Sequence, residues 1–229
     1  DSSNNKVVIA FKDASGASGG YGTAIVGTVS GTSISYGTKQ AFSTDNTTPI
    51  SATFDSNSNK VVFAYKNSSG SADGNAIVGT VSGTSISYGS STNFESNAIS
   101  TYVSAAFDST NNKIVIAYRQ GGDNHPYAVV GTVSGTSISF GSATKIQSDT
   151  GNYISAIHDP NAQKTIVSFR DVGNSNNGTL VVGTVSGTSI SFGSEVIFES
   201  AATEWIGSTF DSNVNKVVIG YEDAGNSGY

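Results

Sequence analysis

The sequence predicts an all-β protein assembled from tandem units of about 52 residues, and three observations predict it. The nonapeptide GTVSGTSIS begins at Gly27, Gly79, Gly131 and Gly183, a constant step of 52 residues. A second marker, a lysine followed by an apolar run, falls at Lys6, Lys60, Lys113, Lys164 and Lys216, with steps of 54, 53, 51 and 52. Composition is the third. Hydrophobic residues make up 36% and charged residues only 12%, with Gly, Ser, Thr and Asn filling the remainder, a mixture that suits short strands and tight turns rather than helices with salted faces. Self-similarity at a fixed period of this length is the mark of a repeat architecture.

Each unit resolves into four strand-like pieces, A to D, best seen in the second copy. Strand A, Ile50–Phe54, is small and mixed, and strand B, Lys60–Tyr65, is β-branched and aromatic. Strand C spans Ala76–Val81, and strand D starts at Thr84 and reaches Phe94. Asp55-Ser56-Asn57-Ser58-Asn59 separates A from B and Ser82-Gly83 separates C from D, both with turn chemistry. Four short antiparallel strands at this period give the arithmetic of a β-propeller blade. The A columns read Ser51-Ala52, Ser104-Ala105, Ser155-Ala156 and Gly207-Ser208, small enough for strands that converge on an axis. Strand B is too apolar for an edge and suits burial between neighbouring blades. The rival architecture is a stacked β-solenoid, which requires long parallel stacking where this sequence supplies hairpin turns.

The chain reads as a single array over residues 1–229, about 4.4 units. Asp1 aligns with Asp211, so a surplus strand B follows the fourth unit, and Tyr229 matches Tyr21. The expectation is a segment of a larger propeller, in which the run Val217-Val218-Ile219-Gly220-Tyr221 pairs with omitted sequence or another chain.

The two ends of the units differ. At one end the A–B turns repeat Asp-Ser at Asp1, Asp55, Asp108 and Asp211, and every C–D turn is Ser-Gly. At the other end the B–C loops read ASGASGGYG, NSSGSADG, GGDNHPY and VGNSNNG. Variable loops on a rigid scaffold are the better place for recognition. Two columns there nominate a binding site. Pro49, Tyr102, Tyr153 and Trp205 lead into strand A, and Lys12-Asp13, Lys66-Asn67, Arg119-Gln120, Arg170-Asp171 and Glu222-Asp223 trail strand B. Aromatic faces beside hydrogen-bonding pairs suit a sugar, whose C–H faces stack while its hydroxyls need donors and acceptors. The candidate ligand-binding residues are therefore Tyr102, Tyr153, Trp205, Lys12, Lys66, Arg119, Arg170 and Asp171. Packing of the same aromatics between units is the competing explanation.

Catalytic chemistry is not legible. A nucleophilic hydrolase needs a base and an orienting group, and the histidines are His125, in a variable loop, and His158, in a column otherwise held by Phe54, Phe107 and Phe210. No pair stands out among Glu95, Glu195, Glu199 and Glu204 for glycoside hydrolysis, and Asp171 and Asp223 lack calcium-loop spacing. No enzyme activity, cofactor or metal is expected. A net charge of −6 argues against nucleic acid and anionic membranes, and no apolar run is long enough to span a bilayer. There is no cysteine, and sequons stand at Asn46, Asn67 and Asn177.

Through its repeat architecture and the GTVSGTSIS turn, the whole chain resembles repeat β-propellers of secreted and surface proteins, including propeller lectins and phage or bacterial surface proteins. It lacks the arginine triad and Asp-box of sialidase-type propellers, the Gly-Gly doublet of kelch repeats and the Trp-Asp of WD repeats. The resemblance implies an extracellular or surface-exposed recognition or adhesion module whose partner is a glycan or a surface protein. The alternatives are a structural repeat of a filament, capsid or fibre and, remotely, a glycoside-acting hydrolase.

Overall fold

The computed structural model describes residues 1–16 and 19–226, and 67% of the protein is β-strand. Unit 1 comprises β1 (Val7–Asp13), β2 (Tyr21–Ser30), β3 (Ser33–Tyr36) and the first half of β4 (Gln40–Asp55). The second half of β4 opens unit 2, followed by β5 (Lys60–Asn67), β6 (Gly74–Ser82), β7 (Ser85–Tyr88) and β8 (Thr92–Glu95). Unit 3 holds β9 (Ile99–Asp108), β10 (Lys113–Gln120), β11 (Pro126–Ser134), β12 (Ser137–Phe140) and β13 (Thr144–Lys145). Unit 4 holds β14 (Gly151–Asp159), β15 (Lys164–Asp171), β16 (Asn177–Ser186), β17 (Ser189–Phe192) and the first half of β18 (Val196–Asp211). The second half of β18 pairs with β19 (Lys216–Asp223) to begin unit 5. Among the described residues every pairing is antiparallel, with none of the parallel stacking a solenoid requires.

Three details differ from the sequence reading. Strand A is not a separate piece in units 2 and 5, because β4 and β18 run unbroken from the outer strand of one unit into the inner strand of the next. The C–D turn is Gly83-Thr84 rather than Ser82-Gly83: Ser82 pairs with Ser85, leaving Gly83 at φ 59° as the first central residue, the left-handed position that glycine fills in a tight hairpin. Strand D is broken, so that β7 and β8 pair with opposite ends of β6 and Gly89 lies between them. Tyr229 lies outside the described residues.

The monotonous end has a local physical cause. Asp55 Oδ1 accepts the Asn57 and Ser58 N–H groups, Asp108 and Asp159 repeat this arrangement, and Asp211 accepts the Asn213 N–H. Each of these turns closes on Asn5, Asn59, Asn112, Gln163 or Asn215 at φ 51–58°, a conformation amide side chains tolerate better than most.

The apolar cores lie between units. Val62, Ala64, Ala76 and Val78 of unit 2 meet Ile114, Ile116, Tyr118 and Val129 of unit 3, while Val61, Phe63 and Tyr65 on the opposite face of β5 meet unit 1. This two-sided burial is why strand B reads as a continuous apolar run. Polar and close contacts repeat at each boundary. Near the inner strands, the Ala105, Ala156 and Ser208 N–H groups donate to Ser51, Ser104 and Ser155 Oγ of the preceding unit at 2.9–3.0 Å. At the outer end, the Thr84, Thr136 and Thr188 carbonyls of the C–D turns lie against Gly37, Gly89 and Gly141 of the preceding unit, where a Cβ would fall only 1.8–2.0 Å from the oxygen.

Candidate functional site

The structure gathers one of the two predicted columns into a row on the variable-loop end. A bulge at the start of each inner strand carries Pro49, Tyr102, Tyr153 or Trp205, with register shifts at Thr47/Ile50, Tyr118/Gln120, Asn152/Ser155 and Glu204/Gly207. Tyr153 and Trp205 sit there at φ 52° and 50°, strained for aromatic residues by about 1–3 kcal/mol each. The bulge turns the rings along the array. Tyr102 and Tyr153 have ring centroids 5.2 Å apart, and Tyr153 and Trp205 5.4 Å apart, both pairs tilted.

Strand B supplies the cations. The Arg119 guanidinium lies 5.3 Å from the Tyr102 ring centre, donates through Nε to Ser100 Oγ and reaches Asn152 Oδ1 of the next unit. Arg170 lies 4.8 Å from the Tyr153 ring and donates at 2.7 Å to Glu204 Oε1, whose Oε2 accepts the Tyr153 hydroxyl at 3.1 Å. Burial, reinforced by Glu204, raises the Tyr153 hydroxyl above its ordinary pKa, and burial lowers that of Arg119. The two tyrosines thus have a cation over a face and an aromatic neighbour. Trp205, in whose unit Glu222 replaces the arginine, is 71% exposed.

The remaining predicted residues do not join this row. Asp171 is 2% exposed and accepts the Asn174 N–H inside its loop. Lys12 is exposed in unit 1, ahead of the first of these bulges, and Lys66 is half-buried in unit 2, whose bulge carries Pro49. Of the sequons, Asn67 donates its amide to Asp45 Oδ2 and Asn177 is buried.

Two clefts complete the picture. One, of about 470 Å3, opens at the monotonous end and is lined by Phe54, Phe107, His158 and Phe210, so the aromatic column is an inner wall. His158 Nε2 lies 3.1 Å from Thr110 Oγ1 and 3.5 Å from Asp108 Oδ1; burial lowers its pKa while Asp108 opposes the shift. The other cleft, of about 570 Å3, lies at the variable end between units 1 and 2, with Phe42, Tyr65, Asp45 and Asn67 in its wall. Sequence reasoning named Asn67 among the polar pairs trailing strand B but did not bring it together with Phe42, Asp45 and Tyr65. The usable signal was Ser43, which stands where the later units have Glu95, Gln147 and Glu199.

No family model matches the chain, and no curated protein matches it. Among solved structures it is similar to a chain in the crystal structure of a nidogen/laminin complex, at 13% identity and a TM-score of 0.53, over 96% of this chain and 71% of that one. At that identity the likeness is one of fold alone.

Proposed function

We propose that this chain is part of a β-propeller and serves as a non-enzymatic recognition module on the outside of a cell or virion, binding carbohydrate at its variable-loop end. The observation that carries this reading is the Tyr102–Tyr153–Trp205 row, three aromatic rings set side by side at the variable-loop end by bulges, two of them on a left-handed backbone. An open indole offers the C–H face of a sugar a stacking partner, and the Arg170–Glu204 pair beside it offers hydroxyls a donor and an acceptor. Strain at a bulge clusters at ligand-binding positions. The self-stacked tyrosines favour a second reading, a purely structural repeat in which the row is a seam between units. A glycan array separates the two. Sugar-competable binding that is lost in Trp205→Ala and weakened in Tyr153→Ala supports recognition, a blank array supports the structural role, and turnover of a glycoside would make the protein an enzyme.

A further inference from the structure

The unit boundaries differ in one side chain near the end of strand D, and the boundary where that side chain is shortest has a cleft beside it. Ser43, Glu95, Gln147 and Glu199 occupy equivalent places near the end of strand D. In each, the side-chain oxygen accepts the N–H two residues on, from Asp45, Asn97, Asp149 and Ala201 respectively. The longer side chains also reach the next unit's strand B. Glu95 Oε2 accepts the Tyr118 hydroxyl at 2.8 Å and the Gln120 amide at 3.0 Å, and Glu199 Oε2 accepts the Tyr221 hydroxyl at 2.9 Å. Where strand B carries Phe169 instead of tyrosine, strand D carries Gln147.

Ser43 keeps the local bond but lacks the second carboxylate oxygen. The Tyr65 hydroxyl pairs with Ser91 Oγ of its own unit at 2.8 Å, and Ser43 stands in the wall of the 570 Å3 cleft, within the range of roughly 300–1,000 Å3 typical of small-ligand sites. Its wall combines Phe42 and Tyr65, ring centroids 5.3 Å apart, with Asp45, Asn67, Asn75 and Asn93. Asp45 takes the Asn67 amide on Oδ2 at 2.9 Å, which leaves Oδ1 for a ligand hydroxyl. Asn75 and Asn93 each direct one N–H to a backbone carbonyl and carry a second.

We infer that the cleft between units 1 and 2, where a serine stands at position 43, is a binding site for a neutral sugar or similar polyol. Phe42 and Tyr65 are buried and give the cleft an apolar floor, and the alternating amide, hydroxyl and carboxylate groups around it suit hydroxyls that both donate and accept. One carboxylate and no cation line the cleft, which selects against uronates and sialic acids. The inference rests on the carbohydrate-binding reading but uses none of the aromatic row.

The test is saturation-transfer NMR and calorimetry on the whole chain with glucose, galactose, mannose, fucose and glucuronate. At least one neutral sugar is expected to bind saturably, with glucuronate weaker. Ser43→Glu, which introduces the side chain found at two of the other boundaries and directs it at the cleft, is expected to lower that affinity at least about tenfold while the unfolding midpoint stays or rises. Asn93→Ala, an exposed substitution at the cleft, lowers it with the fold intact and serves if Ser43→Glu misfolds. Wild-type affinity in both variants, with loss in Trp205→Ala, would place the sugar on the aromatic row and overturn the cleft site while sparing the proposed function. Binding of none of the neutral sugars would overturn the cleft site, and a blank glycan array as well would overturn both.

Discussion

Replacing Gly89 by alanine probes the packing that repeats along the array. Gly89 has an ordinary backbone conformation, so an L side chain fits its φ and only space excludes one. An alanine Cβ would stand 1.8 Å from the Thr136 carbonyl oxygen of the next unit, against about 3.3–3.6 Å for a close C···O contact. Relief requires the unit 3 C–D hairpin to retreat by roughly 1.5 Å, and that hairpin carries Ile138, which is buried in the boundary core. Overpacking of this kind costs about 1–3 kcal/mol. The obstructing atom is backbone, so the upper end applies, equal to a urea midpoint lower by about 1 M or more. The chain supplies its own control. Gly193 occupies the same column, but its nearest such contact is Val182 O at 3.7 Å, so Gly193→Ala should change stability little or raise it by up to about 1 kcal/mol. Urea titrations by circular dichroism, with hydrogen exchange to locate the loss because repeat arrays can unfold piecemeal, provide the assay. Equal effects of the two substitutions would refute the packing described for the unit boundaries.

Other consequences are as direct. Tyr118→Phe removes a donor from the buried Glu95 and should cost about 1–3 kcal/mol; adding Glu95→Gln recreates the Phe169–Gln147 combination, so the double variant should lose less than the two singles summed, and strict additivity in denaturation would contradict the pairing. Asp123 titrates at about 2, because although burial would raise it, the His125 N–H, Lys145 and the Tyr127 hydroxyl overcome that penalty. Its folded pKa lies below the unfolded value of about 3.9, so its stabilisation is complete above that pH and lost as pH falls toward 2; the melting-temperature gap between wild type and Asp123→Asn should close over that window, and a constant gap would refute the assignment.

The period, the antiparallel pairing and the two-sided burial of strand B were legible because they rest on backbone hydrogen bonding and apolar pattern. The invariance of the Asp-rich turns and of GTVSGTSIS was visible, but only part of its cause was. That Gly89 yields space to Thr136 of the next unit is a contact 47 residues away in sequence, which turn chemistry alone does not reveal. The break in strand D was missed for the same reason. The aromatic column was found because it recurs at three of the four strand A starts. Its mutual stacking depends on bulges, whose left-handed Tyr153 and Trp205 no propensity scale favours. Asp171 looked like a free carboxylate because sequence cannot distinguish a rim residue from one folded into its own loop. The cleft at Ser43 was overlooked since a serine in a serine-rich chain draws no notice until it is set beside Glu95, Gln147 and Glu199.

The most direct test of the central claim, carbohydrate recognition at the variable-loop end, is a backbone and indole chemical-shift map of the 23.3 kDa chain titrated with the sugar that binds best. The account predicts saturable shifts confined to that end, at the Trp205 indole, at Asn67 and Asn75 beside the Ser43 cleft, or at both, with the Asp55, Asp108 and Asp159 turns silent. Shifts clustered at those turns, or no shifts with any sugar, would contradict it.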